Sequence, residues 1–321
     1  CACRWPNKTF ANAKEENSRF AFLWNPRGRT CRETQCHLRS EVELGNGKRA
    51  SRPARYLSSV KVHLRNLVVA MMLITLWGHS STAGAVPPDV DQGLPPAQAN
   101  LAPWFSQFRE VFGVPIFATN QVTGDDVDRV RDVLKAYLDN DRDGQPDNRK
   151  VARELVRNNA GMVMFSNEGE ADKSTFWESR EAEKYELFLV NGDETNVAGR
   201  FDASLEEVLH MITDSGYGPA YPAAFGAKRQ SQLGRLTSAA VKRGDFVYDD
   251  PSCDFSTCMT QEYFYWSVTS LNGLQANRCE EISDEWRNCT PELMRLNDPK
   301  MVALITKKRY RIPLGPINAQ P

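Results

Sequence analysis

Apolar residues recur at helical spacing through Val127, Val130, Val133, Leu134, Tyr137 and Leu138, behind the acidic pair Asp125 and Asp126, and predict a helix over 127–138. The same periodicity predicts helices over 151–156, 203–213, 230–242, 260–275 and 299–307. Trp104, Phe105 and Phe108 suggest another short helix that ends near Gly113. Short, nearly unbroken apolar runs over 114–119, 161–165 and 185–190 read as strands. Helices outnumber strands, with neither a βαβ repetition nor an internal repeat in view. The expected fold class is therefore α+β, mainly helical: one compact domain over 101–321 with a small sheet.

Ahead of that domain the pattern changes. Lys61, His63 and Arg65 precede an apolar run over 67–77, and a small-residue stretch ends at Ala83-Gly84-Ala85. A basic region, an apolar core and an A-x-A site make residues 60–85 a candidate secretory signal peptide. The apolar run is short for a bilayer span, which takes about 20 residues, so a membrane anchor is the lesser alternative and no stable span is expected in the mature chain. Residues 1–59 are rich in Arg and lack periodicity. They are expected to be either a non-native extension, with the start near Val60, Val62 or Met71, or a disordered basic arm. Residues 86–100, with several prolines, read as a linker. The expected destination is secreted, periplasmic or extracellular.

Charge supports that division. The chain of 321 residues has 40 basic and 41 acidic side chains, a net charge of -1. Residues 1–85 hold 14 basic against 5 acidic side chains, and the remainder hold 26 against 36. An acidic exported part argues against nucleic acid as a partner. Apolar and aromatic contents of 41% and 10% exclude a disordered or collagen-like chain.

Four cysteines follow residue 85: Cys253, Cys258, Cys279 and Cys289. In an oxidising compartment two disulfides are the expectation, with three connectivities open. Their spacing does not match paired C-x₂-C zinc knuckles. Asn288-Cys289-Thr290 is formally an N-glycosylation sequon, its central Cys expected to be paired.

Residues 139–150 form an acidic loop between two predicted helices. Asp139, Asp141 and Asp143 occupy positions 1, 3 and 5, Gly144 position 6, Gln145 position 7 and Asp147 position 9. Converging carboxylates around a turn-permitting glycine suit calcium, a hard cation that takes six to eight oxygens. The loop resembles an EF-hand, with Lys150 in place of the Glu at position 12, and its D-x-D-x-D-G-x-x-D spacing resembles thrombospondin type 3 repeats and dockerins. The expected role is to stabilise the fold.

His210 is the sole histidine after residue 85, since His37, His63 and His79 precede it. Any His-dependent nucleophile would have to use it, and a two-His zinc site within one exported chain is excluded. Glu206 and Glu207 lie four and three residues before it, on the same side of a helix. Glu206-Glu207-Val208-Leu209-His210 resembles the H-E-x-x-H motif of the zincin metallopeptidases with Glu in place of the first His. A second predicted helix, 260–266, carries Glu262 among aromatics and resembles the helix that supplies a third ligand in lethal-factor-like peptidases. The resemblance implies zinc on Glu206, His210 and Glu262, Glu207 as general base, Tyr217 or Tyr221 steadying an oxyanion, and a peptide substrate. The alternative for His210 is a half-buried helix histidine paired with Glu206 or Asp214. For Tyr263 to Trp266 the simplest reading is core, the alternatives a substrate cleft or a glycan-stacking surface.

More broadly, residues 110–312 resemble a family of uncharacterised exported proteins through 112–119, 137–141, 205–210, 262–266 and 289–292. Two functions follow as expectations: a zincin-like metal-dependent peptidase braced by calcium, or a non-catalytic, calcium-stabilised, disulfide-bonded surface or binding module.

Overall fold

The computed structural model describes residues 93–248, 258–315 and 317. The expected extension over 1–59, the signal segment 60–85, the first part of the 86–100 linker and Cys253 lie outside the described residues. Within them the fold is α+β and mainly helical, with one mixed sheet of four strands in the order β1-β2-β3-β4.

The first two strands, β1 (Gln107–Val111) and β2 (Val114–Ala118), make an antiparallel hairpin. Its two-residue turn is Phe112-Gly113, with φ of 52° and 84°. Two consecutive left-handed residues are what such a turn requires. The hairpin corrects the expectation of a helix ending near Gly113: Phe105 and Phe108 are spaced by packing, because both pack against Phe117. Part of the expected linker is built in as well, as a 3₁₀ turn, Pro96–Leu101, whose Leu101 is buried.

Two helices, α1 (Gly124–Leu138) and α2 (Arg149–Arg157), lead to β3 (Ala160–Phe165), and α3 (Glu168–Lys173) leads to β4 (Glu186–Asn191). β2, β3 and β4 run parallel. These are βαβ crossovers, which corrects the expectation that no βαβ repetition is present. The first is split by the acidic loop into two helices, and the second carries only one short helix, so no regular strand–helix period shows. Alternate strand residues face opposite layers. Ile116, Met162, Met164 and Phe188 join the main core, whereas Phe117, Val163, Phe165 and Leu187 join a smaller cluster with Phe105 and Phe176.

The remaining helices build on the main-core face: α4 (Ser204–Met211), a π-helical turn (Ile212–Tyr217), α5 (Gly218–Ala220), α6 (Pro222–Phe225), α7 (Gln232–Arg243), α8 (Met259–Leu271), α9 (Pro291–Asn297) and α10 (Pro299–Ile305). Every residue of α8 from Thr260 to Ser270 is buried, as expected of a helix enclosed on all sides. Tyr263, Phe264, Tyr265 and Trp266 are therefore core. The predicted 260–275 helix stops at Leu271, where Gly273 at φ 78° turns the chain.

Helix α9 is not among the helices that the periodicity predicts, although Thr290-Pro291 supplies an N-cap and a proline in the first turn. Cys279 and Cys289 form a disulfide, Cα atoms 5.4 Å apart, and Cys258 is also disulfide-bonded. Asn288, the sequon's asparagine, is completely buried and accepts a hydrogen bond from Asn297. No helix among the described residues is long and apolar enough to cross a membrane.

Candidate metal centres

Helix α4 is fixed at its start by Asp202. One carboxylate oxygen accepts the Ser204 amide and hydroxyl at 3.0 and 2.6 Å, and the other meets Arg129 of α1 at 2.6 Å. One turn on, the Tyr137 hydroxyl at the end of α1 donates to the Leu205 carbonyl at 2.8 Å. These two ties set the rotation of α4, and with it the direction of Glu206, Glu207 and His210. The π-helical turn begins two residues after His210, a distortion frequent at functional sites.

His210 is 0% exposed, so the half-buried pairing with Glu206 or Asp214 does not describe it. Its Nε2 lies 3.5 Å from Oε2 of Glu262 on α8, and its Nδ1 lies 3.8 Å from Oε2 of Glu207. Among the described residues neither ring nitrogen has a partner in hydrogen-bonding geometry, the two carboxylates standing at ion-pair distance instead, which is rare for a buried polar atom. Glu206, His210 and Glu262 offer ligand atoms that all lie within 4.8 Å of one another. Ligands about 2.1 Å from a tetrahedral zinc stand about 3.4 Å apart, close to the His210–Glu262 separation. One imidazole and two carboxylates gathered in this way fit a divalent transition metal.

Crowding shows in the protonation equilibria. Burial, then repulsion from Glu262, pushes the Glu206 carboxyl up to about 8. Burial raises Glu207 as well. For His210 burial opposes the charged ring, but the Glu262 and Glu207 carboxylates outweigh it and hold the imidazole well above its usual range. Nearby Asp214 is pushed up to about 6 by burial and by Glu186. A second layer backs Glu206. Gln275 donates to the Tyr265 hydroxyl at 3.0 Å, so that the phenol proton is available to Glu206. Burial and the Glu206 carboxylate raise Tyr265 well above its usual range.

The two tyrosines assigned to an oxyanion are employed elsewhere. The Tyr217 hydroxyl lies 3.0 Å from the Arg311 carbonyl, to which it donates, and the Tyr221 hydroxyl exchanges hydrogen bonds with Asn148. Both brace the fold.

The acidic loop is ordered by its own carboxylates. Asp139 is 1% exposed and accepts the amides of Asp143 and Gly144, each at 3.0 Å. Asp141 accepts the Asp143 amide at 3.3 Å and Asp143 the Gln145 amide at 2.8 Å. Gly144 turns the chain at φ 81°. Oxygens of Asp139, Asp141 and Asp143 come within 4.8 Å of one another. Asp147 stands outside that trio and accepts the Asn140 amide at 2.7 Å. Lys150, at position 12, donates to the Ala220 carbonyl and lies 4.7 Å from the Tyr221 ring centre. Its ammonium is thereby held away from the carboxylates.

No family model matches the chain, and no curated protein or solved structure matches it either.

Proposed function

We propose that this is an exported metalloprotein whose zinc centre, Glu206, His210 and Glu262, works as a zincin-like site on peptide substrates, with calcium bracing the 139–147 loop. The single observation behind this reading is the fully buried His210, both ring nitrogens unsatisfied, with the Glu262 carboxylate at tetrahedral-edge distance from Nε2. Bound zinc supplies Lewis acidity and brings the pKa of a bound water to about 7. The chain's own part is to hold two carboxylates and one imidazole on crossing helices, α4 and α8, so that the site is shaped before metal arrives. The Cys279–Cys289 disulfide favours an oxidising compartment. Three carboxylates from one loop favour calcium over magnesium, which keeps most of its waters.

Metal analysis of the purified chain tests the reading, together with hydrolysis of a quenched-fluorescence peptide library. One zinc per chain, and hydrolysis abolished by chelator and restored by zinc, is the expected result. A chain that takes up no zinc ends the reading.

The burial of the ligands favours a second reading. His210 and Glu262 are 0% and 3% exposed, and a metal-bound water acts only where substrate can reach it. In that case the metal pins α4 to α8 in a non-catalytic, calcium-stabilised module. Zinc then raises the melting temperature without any peptide hydrolysis.

A further inference from the structure

Resting on the zinc reading above, we infer that Glu207 is a positioning residue for His210: it accepts a hydrogen bond from the protonated Nδ1 and thereby leaves Nε2 as the metal-binding atom. The motif alone would make Glu207 the general base. The geometry assigns it a different edge of the ring. Glu262 stands 3.5 Å from Nε2, and Glu207 stands 3.8 Å from Nδ1. The two nitrogens of an imidazole face different directions, so Glu262 addresses one edge of the ring and Glu207 the other, and Glu207 is not among the three residues whose ligand atoms cluster.

Both nitrogens are buried and, among the described residues, lack a partner in hydrogen-bonding geometry. A neutral imidazole has one donor and one acceptor nitrogen, and the bond made by one fixes the role of the other. A metal on Nε2 accounts for one orphan and forces the proton onto Nδ1. That N–H then needs an acceptor, and Glu207 is the carboxylate it faces. Residues three apart on α4 are neighbours on the helix surface, so the pairing is built into the helix and needs no other element. Metal-bound histidines almost always pass their second N–H to such a partner.

The test uses the full chain loaded with cadmium-113, its histidines labelled with nitrogen-15. The bound ring is identified by its coupling to the metal, whatever the other histidines do. Expected is coupling to Nε2 and a protonated Nδ1. Coupling to Nδ1 overturns the inference. In parallel, Glu207→Ala is expected to weaken zinc affinity about 10–100-fold, the usual cost of losing such a partner, and Glu207→Gln, which still offers an acceptor oxygen, to recover most of it. Unchanged zinc affinity in Glu207→Ala, with hydrolysis lost equally in both variants, makes Glu207 the general base and overturns the inference. A wild-type chain that binds neither cadmium nor zinc fails earlier, and marks the metal reading itself as the error.

Discussion

The carboxylate of Glu262, on a helix enclosed by the core, reaches within 3.5 Å of Nε2 of His210, the sole histidine after residue 85. Two helices distant in sequence are thus crossed so that a carboxylate addresses an imidazole, both buried. Glu262→Gln keeps the shape and removes the charge. It is expected to lower zinc affinity by at least about a hundredfold, at the upper end of what losing an outer partner costs. Competition titration with a chromophoric chelator measures it, and an affinity within threefold of wild type would rule the ligand role out.

The metal-free protein should lose stability as pH rises. Glu206 has its folded pKa raised from 4.5 to about 8, and His210 is raised well above 6.5. A group that binds its proton more tightly when folded contributes stability that is present below its unfolded pKa and lost as pH climbs through the folded value. Chelator-treated protein is therefore expected to melt at progressively lower temperature from pH 5 to pH 8. Glu206→Gln should flatten that decline. A melting temperature that climbs over the same interval contradicts the assignment.

Asp139 and its two neighbours should behave differently. Asp139 is buried and satisfies two amides, so Asp139→Ala is expected to cost about 1–3 kcal/mol even without calcium. Asp141 and Asp143 are exposed, and replacing both by Ala should change calcium-free stability by no more than about 0.5 kcal/mol each. The same double variant should abolish the rise in melting temperature that calcium produces in the wild type. Calorimetry with and without calcium reads all three.

Gly216 sits in the π-helical turn against α2. A Cβ there would meet Val151 Cγ1 at 2.8 Å and Leu155 at 3.3 Å. Gly216→Ala is expected to destabilise by about 1–3 kcal/mol through overpacking, and to weaken zinc binding by tilting the helix that carries His210. Denaturant unfolding and chelator competition measure the two effects separately.

How much of this could be read from sequence follows from how local each cause is. Helix α1 was legible because six of its apolar residues share one face, and the acidic loop because its carboxylates recur at every second position over 139–143. The closeness of Glu207 and His210 follows from three-residue spacing alone. That of Glu262 does not: it depends on how α8 crosses α4, and only the resemblance to a zincin helix suggested it. Phe105 and Phe108 were misread because aromatic residues that pack on a sheet face mimic a helical stripe. Tyr217 and Tyr221 were misassigned because their partners, Arg311 and Asn148, are distant in the chain.

Tyr137 gives the architecture a mechanical consequence. Its hydroxyl grips the Leu205 carbonyl, next to Glu206, while Asp139, two residues beyond it, anchors the acidic loop. The loop and the imidazole are linked in series through the last turn of α1. A cation that stiffens one end of that lever also reduces the play at the other, so the two ions would sense each other without sharing a single ligand.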